Sequence, residues 1–355
     1  MSFRDFMAAA LYDPEHGYYA AGHARIGREG DFFTNVSLGP LFGQMLATQF
    51  EEMWRRLGCP RDFRIVEQGA HSGDFAHDVL SGTGADFRRA LGYVIIEPAP
   101  RSCEVQREKL RDFAEQISWR DSMAELEPFC GVHFSNELLD AFPVHCVRFV
   151  NGQWLERCVD ADLRWIDCVI NDDALRSRIA ELPLPAIENY VTEINLHALS
   201  WIDAVAEKLQ SGWVLAIDYG HPRDIYYAPQ RASGTLAAYS QHRRIDDPLQ
   251  NPGQIDLTAQ VEWTSLVERG IADGLTLAGF TDQHHLFAAL AQDFFAQTPP
   301  MPKQTRALQT LMHPQFLGTV FKVLALEKSI SALSKPLRGF QFARDANAAL
   351  GLPGA

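Results

Sequence analysis

Cysteine is sparse and unclustered in this chain. Its six residues, Cys59, Cys103, Cys130, Cys146, Cys158 and Cys168, form no C-x-x-C pair and no Cys/His group. That spacing excludes a disulfide framework and a zinc site, and fits free thiols in a reducing compartment. No metal ligand set is expected. Long apolar runs are missing too: none approaches the ~20 residues of a membrane span. Basic residues are outnumbered, with 32 Lys and Arg against 45 Asp and Glu and a net charge of −13. A general nucleic-acid binder needs a basic surface for phosphate contacts, so that class is disfavoured. There is no internal repeat and no low-complexity segment. The opening Met1-Ser2-Phe3-Arg4-Asp5-Phe6 is neither an apolar signal nor an Arg-rich transit segment, so the expected location is cytoplasmic.

What is present is ordinary globular composition, 46% apolar and 22% charged over 355 residues, enough for one large α/β domain with insertions or for two domains. The organising stretch is Phe63–Asp74, an apolar run that ends in Glu67, turns through Gly69-Ala70-His71-Ser72-Gly73 and opens onto a helix from Phe75. Strand, small-residue turn and helix make the first unit of a nucleotide-binding α/β domain, with glycines where the backbone must pass close to a ligand. About twenty residues further on, the strand Tyr93–Ile96 ends in Glu97, placed to accept hydrogen bonds from both hydroxyls of a ribose.

A dinucleotide site wants three glycines at G-x-G-x-x-G spacing so that a pyrophosphate can lie on the helix N-terminus. This turn lacks the third glycine and has the acid Glu67 just before it. An acid there opposes a pyrophosphate and suits a ligand with an ammonium and a sulfonium. S-adenosyl-L-methionine is such a ligand, so a methyltransferase is favoured over a nicotinamide oxidoreductase.

Further apolar runs end in polar tips: Ile117–Trp119 before Arg120-Asp121, Val132–Ser135 before Asn136-Glu137, and Trp213–Ile217 before Asp218. Such runs, separated by helical segments, predict parallel strands buried on both faces, with ligands outside their carboxyl ends. The stripe Leu41, Phe42, Met45, Leu46, Phe50, Met53, Trp54 and Leu57 predicts a helix laid on the sheet. Strands at 144–150, 154–159 and 165–170 turn at Asn151-Gly152. Residues 223–258 show no period, 261–271 read as helix, 275–280 as strand, 284–297 as helix and 319–326 as a final antiparallel strand. The organisation expected is 1–58 N-terminal helices and lid loop, 59–145 first part of the core, 146–195 β-rich insertion, 196–222 core helix and strand, 223–270 a substrate subdomain, 271–330 the end of the sheet, and 331–355 a tail.

Assembled in order, these pieces resemble the MidA family of class I S-adenosylmethionine-dependent methyltransferases, which includes a mitochondrial complex I assembly factor that methylates an arginine and its bacterial relatives. The matching residues are Asp13–Tyr19, Gly30–Thr34, Phe42-Gly43, Glu67–Gly73, Glu97-Pro98, Gln106 and Leu110. They continue through Asn136–Val144, Ile217–Gly220, Gly234–Leu236 and Pro252–Thr258, spanning nearly the whole chain. Two places, three residues in all, depart from the family pattern. His71 stands where a second glycine is usual, and Asn35-Val36 where Ala-Pro is common.

The resemblance implies an α/β, Rossmann-like class I methyltransferase fold. That is a mostly parallel seven-stranded sheet with helices on both faces, an N-terminal helical and lid segment, an inserted β-hairpin and a helical subdomain. It implies S-adenosyl-L-methionine as cofactor. The expected cofactor-binding set is Gly30, Asp31, Thr34, Glu67, Gly69, Ala70, Gly73, Glu97, Pro98, Asp121, Ser122, Met123 and Asn136. Within it Gly69 and Gly73 form the cradle, Asp121 and Met123 flank the adenine, and Gly30, Asp31 and Thr34 form a lid. The acceptor implied is an arginine on a partner protein, with a respiratory-complex subunit as candidate, and the location becomes the mitochondrial matrix if the source is a eukaryote. Glu137, Asp140 and Asp218 are the expected catalytic acids, and Tyr18, Tyr19 and Tyr219 the walls of the acceptor channel. Asp140 can equally cap a helix after the fourth strand. A catalytically degenerate scaffold and a small-molecule methyltransferase stay open as alternatives, and the oligomeric state is not legible.

Overall fold

The computed structural model describes residues 1–22, 35–240, 243–330 and 335–353. Gly30, Asp31 and Thr34, expected in the lid, lie outside the described residues. The chain divides into two compact units. The first holds Met1–Phe33, Leu139–Trp201 and Gly220–Ser265, and the second Thr34–Leu138, Ile202–Tyr219 and Leu266–Ala355.

The apolar runs of the second unit become β1 (Phe63–Gln68), β2 (Leu91–Ile96), β3 (Ile117–Arg120), β4 (Phe129–Asn136), β5 (Leu209–His221), β6 (Thr276–Asp282) and β7 (Phe321–Lys328). Their order across the sheet is β6-β7-β5-β4-β1-β2-β3. The strands β3, β2, β1, β4 and β5 run parallel, while β7 runs antiparallel between β5 and β6. In the first unit the two-residue strand Val261–Glu262 pairs in parallel with Gly220–His221.

Parallel strands must be covered on both faces. On one face Phe63, Ile65, Ile95, Phe134, Leu215 and Val323 share a core with the Leu41–Arg56 and Asp74–Gly82 helices. Each large apolar side chain so buried is worth roughly 1.5–3 kcal/mol. On the other face, a Cβ added to Gly270 would come within 3.4 Å of Ile202 Cγ1 and 2.9 Å of Leu326 Cδ1. That closeness shows how tightly the Trp263–Ala272 helix packs there. Among the described residues no helix is long and apolar enough to cross a membrane.

In the first unit Trp165–Cys168, Gln153–Val159, His145–Val150 and Val191–Ile194 form an antiparallel sheet in that order. Asn151 and Gly152 turn between two of its strands with φ of 50° and 82°, as a two-residue hairpin demands. Several expectations need correcting. The strand Val191–Ile194 and the Asp173–Glu181 helix did not show as periodic segments, because one has four residues and the other buries only Leu175. The stretch 223–258, which shows no period, holds the short antiparallel strands Ala237–Ser240, Arg243–Ile245 and Asp256–Thr258, and the helix expected after it is present as Trp263–Ala272. Strands of three or four residues are too short to display alternation. Residues 139–142 form a turn, so Asp140 caps no helix.

Candidate active site

The turn after β1 takes its shape from left-handed backbone at Gly69 (φ 85°), His71 (φ 45°) and Gly73 (φ 82°). A Cβ at Gly69 would sit 3.4 Å from Leu138 Cδ1, just past the end of β4. His71 adopts the conformation a glycine would, at a cost of order 1 kcal/mol. Its carbonyl is held by Gln106 Nε2 at 2.8 Å. Gly73 precedes the Asp74–Gly82 helix, whose first-turn N–H groups find no partner within the helix itself. Strand order reverses here, with β2 and β3 on one side of β1 and β4 and β5 on the other. This is where a ligand crevice forms in an α/β sheet.

Glu97, half-buried past the end of β2, accepts at Oε1 from the Ala99 N–H (2.9 Å) and at Oε2 from Gln106 Nε2 (3.1 Å). Burial raises its pKa, and those two donors work against the rise. Gln106 also accepts from Trp119 Nε1 at 2.9 Å. One buried amide thus joins the turn, Glu97 and the β3 edge, a role its place in the family motif did not disclose. Pro98, Asp121 and Ser122 are exposed, whereas Ala70 and Met123 are buried.

Glu67 requires a correction. It is 3% exposed and accepts from Tyr93 Oη at 2.7 Å, and burial pushes its carboxyl up to about 8. The side chain is therefore protonated near neutral pH and turned into the core, so it offers no negative charge to a cationic ligand. Strand parity carried the signal, since Glu67 shares a face with Phe63 and Ile65.

At the tips of β4 and β5 the acids cluster. Glu137 is a non-glycine residue at φ 53°, a strained conformation of the kind that persists at sites the surrounding structure over-determines. Its Oε1 accepts from Asn136 Nδ2 (2.9 Å) and at 3.5 Å from the Asn35 N–H, and its Oε2 from Tyr219 Oη (3.3 Å). Burial, with a smaller contribution from the Asp218 charge, pushes the Glu137 carboxyl up to about 8. Asp218, 1% exposed, accepts from the Leu138 N–H at 3.2 Å and the Tyr219 N–H at 2.8 Å. It pins the two strand tips together. The Tyr219 ring packs on Phe321, centroid to centroid 4.0 Å.

Asp140, Tyr18 and Tyr19 belong to the first unit. Tyr18 is fully buried in that unit's core, so its ring offers no face to an acceptor, contrary to the expected channel wall. Tyr19 Oη donates to Asp256 at 2.7 Å. Its pKa lies well above the usual tyrosine value, chiefly through burial and then through the charges of Asp256 and, more weakly, Asp140.

A left-handed glycine turn and a carboxylate at the next strand tip, on a sheet with this strand order, call for comparison with methyltransferases. The family model for S-adenosyl-L-methionine-dependent methyltransferases matches residues 45–281. The chain belongs to this family. A protein from Burkholderia thailandensis solved with S-adenosyl-homocysteine bound is 31% identical, covers 98% of this chain and 92% of its own, and superposes with a TM-score of 0.86. A native crystal structure of a Burkholderia thailandensis protein gives 29% identity, a TM-score of 0.83 and the same coverage. Among curated proteins, the mitochondrial protein arginine methyltransferase NDUFAF7 homolog of Drosophila melanogaster is 26% identical over 95% of this chain and 84% of its own length. The Homo sapiens protein arginine methyltransferase NDUFAF7, also mitochondrial, is 24% identical over 91% and 79%.

S-adenosyl-L-methionine is the cofactor of this methyltransferase. The residues present fit it. The Gly69 and Gly73 cradle has no Cβ to fill the approach to Leu138 and Leu110, and the half-buried Glu97 carboxyl keeps acceptor lone pairs for ribose hydroxyls.

Proposed function

We propose that this methyltransferase acts on a guanidino nitrogen of an arginine in a partner protein. The observation that supports the reading most is Glu137, held in strained backbone by three donors at the switch-point tip of β4. When bound, S-adenosylmethionine supplies an electrophilic methyl group on a sulfonium, already a good leaving group. The chain's own work is then alignment and preparation of the acceptor.

A guanidinium has a pKa of about 12.5 or above and offers no free lone pair while protonated. Glu137 is assigned to face it, orienting one nitrogen and concentrating the positive charge on the others. Asp218 is a positioning residue: through the Leu138 N–H it fixes the backbone that carries Glu137. Tyr219 holds Glu137 Oε2. Gly69 and Gly73 are assigned to the methionine moiety, Glu97 to the ribose, and Met123 with Asp121 to the adenine.

The arginine acceptor rests on the curated relatives' names and on the chemistry of Glu137. A respiratory-complex subunit is the partner to test first, on the resemblance of the Asn136–Val144 block. A cytoplasmic or matrix location belongs to the same reading, the relatives being mitochondrial by name. The test is labelled S-adenosylmethionine added to lysate from a strain lacking this protein, with mass mapping of any labelled residue. A labelled arginine is expected. Label on a small molecule alone would replace the protein acceptor, and binding without transfer would mark a degenerate scaffold.

A further inference from the structure

Asn35 takes part in the site through its backbone N–H, and its side chain has a different set of neighbours. It is fully buried. It precedes the short Val36–Leu38 helical turn, yet its side chain makes no capping bond. Instead Asn35 Nδ2 donates to Asn136 Oδ1 at 3.0 Å, and Asn136 Nδ2 donates to Glu137 Oε1 at 2.9 Å.

The direction of this relay follows from one group that cannot reverse. The Asn35 backbone N–H points at Glu137 Oε1, and a backbone N–H only donates. With the carboxyl ionised, the state that methyl transfer needs, both of its oxygens only accept. Asn136 must then present Nδ2 to Oε1 and Oδ1 to Asn35, and Asn35 must present Nδ2 to Asn136. That leaves Asn35 Oδ1 buried with no hydrogen-bond partner among the described residues. A flip of Asn35 would set two oxygens face to face, and a flip of Asn136, alone or with Asn35, would turn its oxygen toward the Glu137 carboxylate, so neither brings relief. A buried, unsatisfied carbonyl acceptor costs about 1–3 kcal/mol. Such a cost beside a strained carboxylate suits a site finished by its ligand.

We propose that Asn35 Oδ1 is a ligand-binding acceptor that takes an N–H of a cation held beside Glu137. Two sources share that chemistry: the ammonium of the cofactor's methionine end and the guanidinium of the methyl acceptor. The proposal rests on the reading of this site as one for methyl transfer, and adds to it a residue that selects for nitrogen cations.

The test uses the full chain and the variant Asn35→Leu, which keeps the branched shape and removes the orphaned oxygen together with Nδ2. Three quantities are measured: the ligand-free melting temperature, the affinity for S-adenosylhomocysteine by calorimetry, and the affinity of the S-adenosylhomocysteine-loaded protein for arginine amide. The melting temperature is expected to stay close to the parent's, because the orphaned Asn35 oxygen goes while Asn136 Oδ1 loses its donor. Affinity in one arm is expected to fall about 10- to 100-fold, the worth of a hydrogen bond to a charged group. A loss in the first arm names the ammonium as the source, and a loss in the second names the guanidinium. A second variant, Asn35→Asp, keeps the acceptor oxygen and is expected to retain or tighten binding in that same arm.

A lower melting temperature with both affinities intact overturns the proposal, leaving Asn35 as a prop for Asn136. Parent and variant behaving alike in both arms, including no binding of arginine amide by either, also removes Asn35 from ligand contact. Binding lost equally in Asn35→Asp shows that Nδ2 was the group that mattered, and overturns it as well. None of these readouts needs turnover. Asn35 can therefore fail while labelled arginine still appears in lysate, and a protein that transfers to no arginine still reports in the first arm.

Discussion

Tyr93 Oη donates to Glu67 across the β1–β2 pair at 2.7 Å, with both side chains in the core. The pair sets a pH dependence of stability. Burial raises the Glu67 pKa from 4.5 to about 8. Between those values the folded chain keeps a proton that the unfolded chain has released, so stability falls as pH rises through that window. The slope is up to about 1.4 kcal/mol per pH unit for one group. Glu67→Gln removes this contribution. Urea unfolding at pH 5 and pH 8.5 should show the variant losing less stability between the two than the parent does. Equal losses would mean that Glu67 titrates at its ordinary value in the folded chain.

Glu137 is the second carboxyl pushed up to about 8, and here the consequence is catalytic. Only the ionised carboxylate can concentrate the charge of a guanidinium, so kcat/KM should rise with pH and level off above an apparent pKa near 8. Glu137→Gln keeps the shape and most neighbouring contacts but can never ionise. We expect methyl transfer to fall by at least about 100-fold, as for loss of a group acting on the acceptor's proton, with S-adenosylhomocysteine affinity retained. A variant with full activity and the same pH profile would remove Glu137 from the chemistry.

How far these residues were legible in the sequence differs with what determines each. The runs that became β1, β2, β4 and β5 are apolar throughout because both faces of a parallel sheet are buried, and that pattern shows in one dimension. Glu97 was legible by its distance from the glycine turn. Glu67 misled because an acid closing an apolar run looks like a solvent-facing tip, and its partner Tyr93 is twenty-six residues away. The left-handed backbone of Glu137 has no residue signature, since glutamate is not selected for that conformation. Asn35 and Gln106 acquire their roles from neighbours distant in sequence, Asn136 in one case and His71, Glu97 and Trp119 in the other.

His71 departs from the family's glycine, yet the turn keeps a left-handed conformation there. Replacing it by glycine relieves about 1 kcal/mol of backbone strain and adds a comparable 0.4–1 kcal/mol of unfolded-chain entropy. His71→Gly should therefore leave stability within about 0.5 kcal/mol of the parent by urea unfolding. Affinity for S-adenosylhomocysteine should change by less than about threefold, because the cradle already has its shape. Tenfold tighter binding in the variant would show instead that the imidazole crowds the methionine moiety, and would favour the degenerate-scaffold reading.

Gln106 makes the sharpest separation between fold and site, because its one amide serves three partners. Gln106→Leu leaves the His71 carbonyl and the Trp119 indole N–H without their bonds, at about 1–3 kcal/mol for each group that water cannot reach. It also takes from Glu97 a donor that holds its pKa down, so the carboxyl shifts further toward its protonated form and accepts less well from a ribose. Both effects weaken the cofactor site, and we expect S-adenosylhomocysteine affinity to fall roughly tenfold, about 1.4 kcal/mol. The loss should be larger at the lower of two pH values, since Glu97 regains its charge as pH rises. Calorimetry at the two pH values distinguishes this from simple loosening of the turn, which would weaken binding equally at both. Reduced stability with unchanged affinity at either pH would confine Gln106 to holding the turn and the β3 edge in place.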